Sequence, residues 1–142
     1  MTSLKSSSRS VDPDTVRAGP ARFFPSRVAL GARTERAALE YLHANGCRLI
    51  ARNVRFRVGE IDLVVRDGDA LVFVEVRGRG EGSLEAAEVA LPFAKRLKLW
   101  RAIELYLLRI SAAERAAFRS IRVDFLATNG REWFWYKNIE LR

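Results

Sequence analysis

Three carboxylates stand where a packed domain would ordinarily place apolar side chains. Glu35 heads a stripe completed by Ala38, Leu39 and Leu42, the i, i+3, i+4, i+7 spacing of an amphipathic helix, so it falls on the inward side. Asp62 lies inside EIDLVV and Glu75 inside LVFVEV, two runs with the β-branched, alternating character of strands. Burying an ionised carboxylate costs several kcal/mol unless a cation or a donor compensates it. Each residue alone has a structural explanation: Glu75 pairing with an arginine at a strand end, Asp62 capping a turn, Glu35 reaching solvent. Three such explanations at once are harder to sustain than a shared site.

Strand geometry lets two of them meet. If the connection is the four-residue loop Asp67-Gly68-Asp69-Ala70, residue 66 pairs with 71 and residue 62 with 75, on one face, with Cβ atoms about 5 Å apart. A two-residue loop Asp67-Gly68 makes 62 and 75 diagonal neighbours, and an odd loop puts them on opposite faces. Adjacent carboxylates repel, and a divalent metal is one way to hold them together. Oxygen ligands with no His or Cys nearby favour Mg²⁺ or Mn²⁺ over zinc.

Other motifs carry less. His43 and Cys47 straddle an Asn-Gly helix stop and have no third ligand. With one His, no Ser-His-Asp or Cys-His system assembles. Gly78-Arg79-Gly80-Glu81-Gly82 lacks the GxxxxGK[ST] pattern of a phosphate cradle and reads as a loop bordering the site, with Arg79 available for a backbone contact. Trp133, Phe134, Trp135 and Tyr136 could stack bases, but strand alternation sends half of them into the core.

The elements that must position these residues follow from the same patterns. Residues 1–30, rich in Ser, Pro and Arg, read as a basic, flexible N-terminal arm, and 31–142 as one domain. The Glu35 helix ends at Asn45-Gly46. Strands are expected near 48–57, 60–66 and 71–77. A long helix follows near Pro92, with Phe93, Leu97, Trp100, Ile103 and Leu107 on one face and Lys95, Lys98, Arg101 and Arg109 on the opposite, solvated one. Ser111 and Glu114 form a capping-box signature for a short helix. SIRVDFLAT, Asn129-Gly130 and REWFWYK read as a closing hairpin. Helix, three strands, helices, two strands is a mixed α/β domain with helices packed on the sheet.

Bulk composition sets the frame. A hydrophobic fraction of 49% with 30% charged residues excludes wholesale disorder. The single cysteine excludes an intrachain disulfide or a zinc site built on cysteine pairs. There is neither a membrane-length apolar run nor a secretory h-region at the start, so a cytoplasmic protein without a membrane partner is expected. The net charge of +8 lies mostly outside the arm, which holds five basic and two acidic side chains. Such an excess attracts nucleic-acid phosphates, although it also serves plain solubility.

The sequences Gly59-Glu60-Ile61-Asp62-Leu63 and Phe73-Val74-Glu75-Val76-Arg77, with twelve residues between Asp62 and Glu75, resemble the YraN family of bacterial proteins. Gly31, Glu35, Ala38, Tyr41 and Leu42, Lys95-Arg96-Leu97-Lys98 and Arg122-Val123-Asp124-Phe125 extend the resemblance over about residues 30–140. That family is similar to the PD-(D/E)-x-K nucleases, which include restriction endonucleases and archaeal Holliday-junction resolvases. The resemblance implies a restriction-endonuclease-like sheet and Mg²⁺-dependent hydrolysis of DNA phosphodiesters, with branched or repair DNA as candidate substrates. It implies Asp62 and Glu75 as metal ligands, Glu35 as the acid completing the cluster, and Glu60 assisting from the same strand face. It also implies the homodimer that resolvases use on symmetric junctions.

Arg77 stands where the superfamily has lysine. Arginine stays protonated and cannot act as a base, but it can stabilise charge on phosphoryl oxygens. Alternatively Lys95 or Lys98 approaches the site and supplies the missing amine, or both lysines stay on the solvated face and contact phosphate there. A nucleic-acid-binding protein that has lost turnover, or an interaction protein whose carboxylates serve ion pairs, would carry the same sequence.

Overall fold

Alternation and turn residues produce the expected order of elements. The computed structural model describes residues 27–78 and 91–141. Helix α1 (Arg27–Ala44) leads into strands β1 (Arg48–Phe56), β2 (Gly59–Asp67) and β3 (Ala70–Gly78). Helices α2 (Phe93–Arg109) and α3 (Ala112–Ala116) precede β4 (Ser120–Thr128) and β5 (Trp133–Tyr136). The strands form one sheet in the order β1-β2-β3-β4-β5, parallel between β3 and β4 and antiparallel elsewhere.

The β2–β3 turn is Gly68-Asp69, one residue later than the Asp67-Gly68 turn considered from the sequence, with Asp67 paired to Ala70. Gly68 takes φ +64°, a left-handed conformation that glycine adopts freely. Arg66 therefore lies opposite Leu71, the register anticipated for the 67–70 connection.

β3 is buried on both faces from Ala70 to Val76. On one side Phe73, Leu71, Ile61 and Phe125 pack with Leu99, Ala102 and Ile103 of α2. On the other, Val72, Val74, Leu63 and Leu126 pack with Ala38 and Leu42 of α1. The predicted apolar face of α2 needs correction. Phe93 is 60% exposed, whereas Leu99, Ala102 and Ile103 are buried. Phe93, Leu97, Leu99, Trp100, Ile103, Leu105, Leu107 and Leu108 surround the helix with apolar residues, so periodicity alone does not select its buried side.

The first helix begins at Arg27, inside the arm expected to run through residue 30. Ser111 and Glu114 make both hydrogen bonds of the capping box, at 3.0 and 2.8 Å. Trp133 is buried and stacks on Tyr41 at 5.5 Å, so the aromatic strand β5 serves packing. His43 is exposed and Cys47 buried, which leaves no ligand pair there. No helix among the described residues is long and apolar enough to cross a membrane. The 1–26 stretch of the expected arm, and the loop containing Arg79, lie outside the described residues.

Candidate active site

The sheet splits where the carboxylates sit. β3 keeps its ladder to β4 through Gly78, but its recorded pairs with β2 stop at Leu63 and Val74. One step further the same register sets Asp62 level with Glu75. There the backbone N–H of Val76 donates to Oδ2 of Asp62 at 2.8 Å. A side-chain carboxylate thus satisfies an amide beyond the end of the β2–β3 ladder, which ties Asp62 to the strand that carries Glu75.

Two glycines seat the helices against this split. A Cβ on Gly59 would lie 2.5 Å from the backbone oxygen of Lys98, and one on Gly78 would lie 2.9 Å from Oγ1 of Thr34. At Gly59 a backbone passes too close for any side chain, and at Gly78 the Thr34 side chain fills the space a Cβ would take. Thr34 precedes Glu35 and Lys98 follows Lys95 by one turn, so these contacts bring α1 and α2 to the split.

Asp62 acts electrostatically on both Glu35 and Glu75. Glu35, when protonated, is able to donate a hydrogen bond to the Asp62 carboxylate. Burial, then the Asp62 charge, raises Glu35 to about 7. Burial also raises Asp62, against the opposing pull of the Val76 N–H. Glu75, only 4% exposed, is pushed up to about 8 by burial and then by Asp62, with Lys95 and Arg77 acting the other way. Burial leads in all three; the Asp62 charge adds to it at Glu35 and Glu75, and the Glu60 charge adds to it at Asp62.

Lys95 reverses an expectation. Its Nζ lies 3.5 Å from Oε2 of Glu75, so it faces the acidic centre and not the solvated side opposite the core. The reason is rotational: Lys95 is one turn before Leu99, and the burial of Leu99 and Ala102 carries Lys95 inward with them. Arg77 approaches the same oxygen at 3.9 Å. Lys98 lines the groove beside them. Glu60 is exposed and pairs across the strands with Arg55 at 3.4 Å, at the groove's rim. The groove measures about 530 Å³ and is lined in part by Arg55, Arg57, Glu60, Glu75, Lys95 and Lys98. The sequence reading passed over Arg55 and Arg57, whose signal was the clustering of Arg52, Arg55 and Arg57 within six residues of the first strand and its turn.

The donors gathered at the split are carboxylate oxygens, the chemistry of a hard divalent cation. Among the described residues no group of three or more His, Cys, Asp or Glu stands close enough to hold an ion. Asp62 and Glu75 alone would leave most of a cation's shell to water and substrate oxygens, an arrangement that Mg²⁺ commonly accepts.

Comparison with known proteins agrees on the family. The model described as uncharacterised protein family UPF0102 matches residues 34–128. A UPF0102 protein of Symbiobacterium thermophilum is 48% identical over 83 residues, covering 58% of this chain and 70% of its own. The UPF0102 protein YraN of Salmonella agona is 39% identical over 115 residues, covering 80% and 85% respectively. Among solved structures, SfsA of Pyrococcus furiosus in complex with Ca²⁺ aligns over 75% of this chain and 62% of that one, at 16% identity and a TM-score of 0.30.

Proposed function

The chain belongs to the UPF0102 family, and we propose that it is a Mg²⁺- or Mn²⁺-dependent endonuclease of restriction-endonuclease type that hydrolyses DNA phosphodiester bonds. The observation that carries this reading is the ammonium of Lys95 at 3.5 Å from Glu75, beside Asp62, in a groove with basic walls. It supplies from the long helix the amine that Arg77 does not supply from the strand.

A divalent cation at Asp62 and Glu75 would neutralise phosphate charge and activate water. The protein's own groups have separable tasks. Asp62, tied to the Val76 amide, cannot swing away from the cation position. Glu75 draws Lys95 and Arg77 to the same carboxylate, where their charge would stabilise negative charge developing on a phosphoryl group. Glu35, raised to about 7 by burial and the Asp62 charge, is able to hold or release a proton at its carboxyl near neutral pH. Glu60 adds negative charge at the rim.

Branched, duplex and single-stranded DNA incubated with Mg²⁺ or Mn²⁺ tests the reading. Cleavage by the wild type should fall by 10²-fold or more in Asp62→Ala and Glu75→Ala, and fall markedly in Lys95→Met. Product formation unchanged in all three would refute it. A second reading, a nucleic-acid-binding protein without turnover, is favoured by Arg77 itself. It predicts binding without product in the wild type, and a gain of cleavage in Arg77→Lys.

A further inference from the structure

We infer that the β1–β2 turn is a second wall of the substrate cleft, and that Arg57 on it and Lys98 on α2 grip nucleic-acid backbone phosphates beside the acidic centre. The inference deepens the nuclease reading: it makes the substrate a continuous polynucleotide strand running through the groove and not a mononucleotide or a free phosphate ester.

Charge pairing around the groove carries it. Four cations, Arg55, Arg57, Lys95 and Lys98, line it together with the carboxylates Glu60 and Glu75. Arg55 is paired with Glu60 at 3.4 Å and Lys95 with Glu75 at 3.5 Å. Arg57 and Lys98 have no carboxylate within ion-pair distance among the described residues, and both are exposed. The groove thus keeps two uncompensated cations, one on the hairpin turn and one on the helix, in a lining that also holds the buried Glu75. A polyanionic backbone meets that pattern, because each phosphate can replace counterions at one cation.

The two walls are fixed relative to each other. Phe56, at the end of β1, packs against the core that faces α2, with the guanidinium of Arg109 5.0 Å from its ring centre. Gly59, on the other side of the turn, lies against the backbone of Lys98. The turn residues Arg57 and Val58 are exposed between these anchors. The spacing of Arg57 from Lys98 is therefore built into the contact of hairpin and helix before any ligand arrives, which lowers the ordering cost of binding.

The experiment is a salt titration of binding to a fluorescent DNA duplex of about 20 base pairs by anisotropy, in EDTA so that no cleavage intervenes. Wild type, Arg57→Ala, Lys98→Ala, Arg57→Lys and Arg48→Ala, an exposed position at the opposite end of β1 from the turn, are compared. Each lost phosphate contact should lower the slope of log Kd against log salt by about one. Arg57→Ala and Lys98→Ala should each show that loss, with Arg57→Lys and Arg48→Ala retaining the wild-type slope. Wild-type binding with unchanged slopes in both alanine variants overturns this inference while leaving the nuclease reading standing. Absence of salt-dependent binding by the wild type removes both.

Discussion

At the scale of single residues, Glu75 has the most consequential environment. Its carboxyl is raised from 4.5 to about 8, chiefly by burial. A folded-state value above the unfolded one means that the folded chain binds more protons between these pH values. Stability is then fully present below about pH 4.5 and is lost as pH rises through about 8. Glu35, raised to about 7, pushes in the same direction. Urea unfolding of the metal-free protein should therefore show stability declining from pH 5 to pH 8, with a shallower decline in Glu75→Gln. Added Mg²⁺ should restore part of the loss at pH 8, because a ligand of the folded state stabilises by mass action. A pH profile identical in wild type and variant would contradict the burial of this charge.

At the scale of elements, the close approaches make a sharp contrast between glycines. Ala at Gly59 would press its Cβ against the Lys98 backbone at 2.5 Å, so either the hairpin or α2 must move. Gly59→Ala should cost about 1–3 kcal/mol in urea unfolding and weaken cleavage beyond what the lost stability explains. Gly31→Ala, in α1 with open space around the added Cβ, should instead stabilise by about 0.4–1 kcal/mol. The same elements show what was legible from sequence. Asp62 and Glu75 could be set level by counting residues across one short turn, because a two-residue side-chain period fixes the face. Lys95 could not. The rotation of α2 is chosen by which of its many apolar residues the sheet accepts, and that long-range choice has no local signature in a helix apolar on most sides. Glu35 was legible because the stripe Ala38 and Leu42 is narrow.

At the scale of the whole molecule, two groups of buried carboxylates differ in how fully the sheet partners them. Asp124 is fully buried, yet every demand it makes is met. Arg122 donates to both its oxygens at 2.9 and 3.0 Å, and the Trp135 indole and the Asn138 amide donate at 2.8 and 2.9 Å. Arg122 also donates to Asp67 at 2.7 Å, so the network joins β4 to the end of β2. Glu75 has instead two cations at 3.5 and 3.9 Å and a neighbouring carboxylate against it. Opposite outcomes follow from removing each charge. Asp124→Asn leaves Arg122 without its buried partner and should destabilise by about 3–5 kcal/mol, with cleavage lost only in proportion to the unfolded fraction. Glu75→Gln removes an underpaired buried charge while Lys95 and Arg77, both in reach of water, regain hydration. At pH 8 without metal that variant should be as stable as wild type or more so, and inactive as a nuclease. Such an inversion marks a site kept for function against stability. Urea midpoints and cleavage rates measured on the same samples test it, and a loss of stability in Glu75→Gln comparable to that in Asp124→Asn would make the split in the sheet a structural joint like the other.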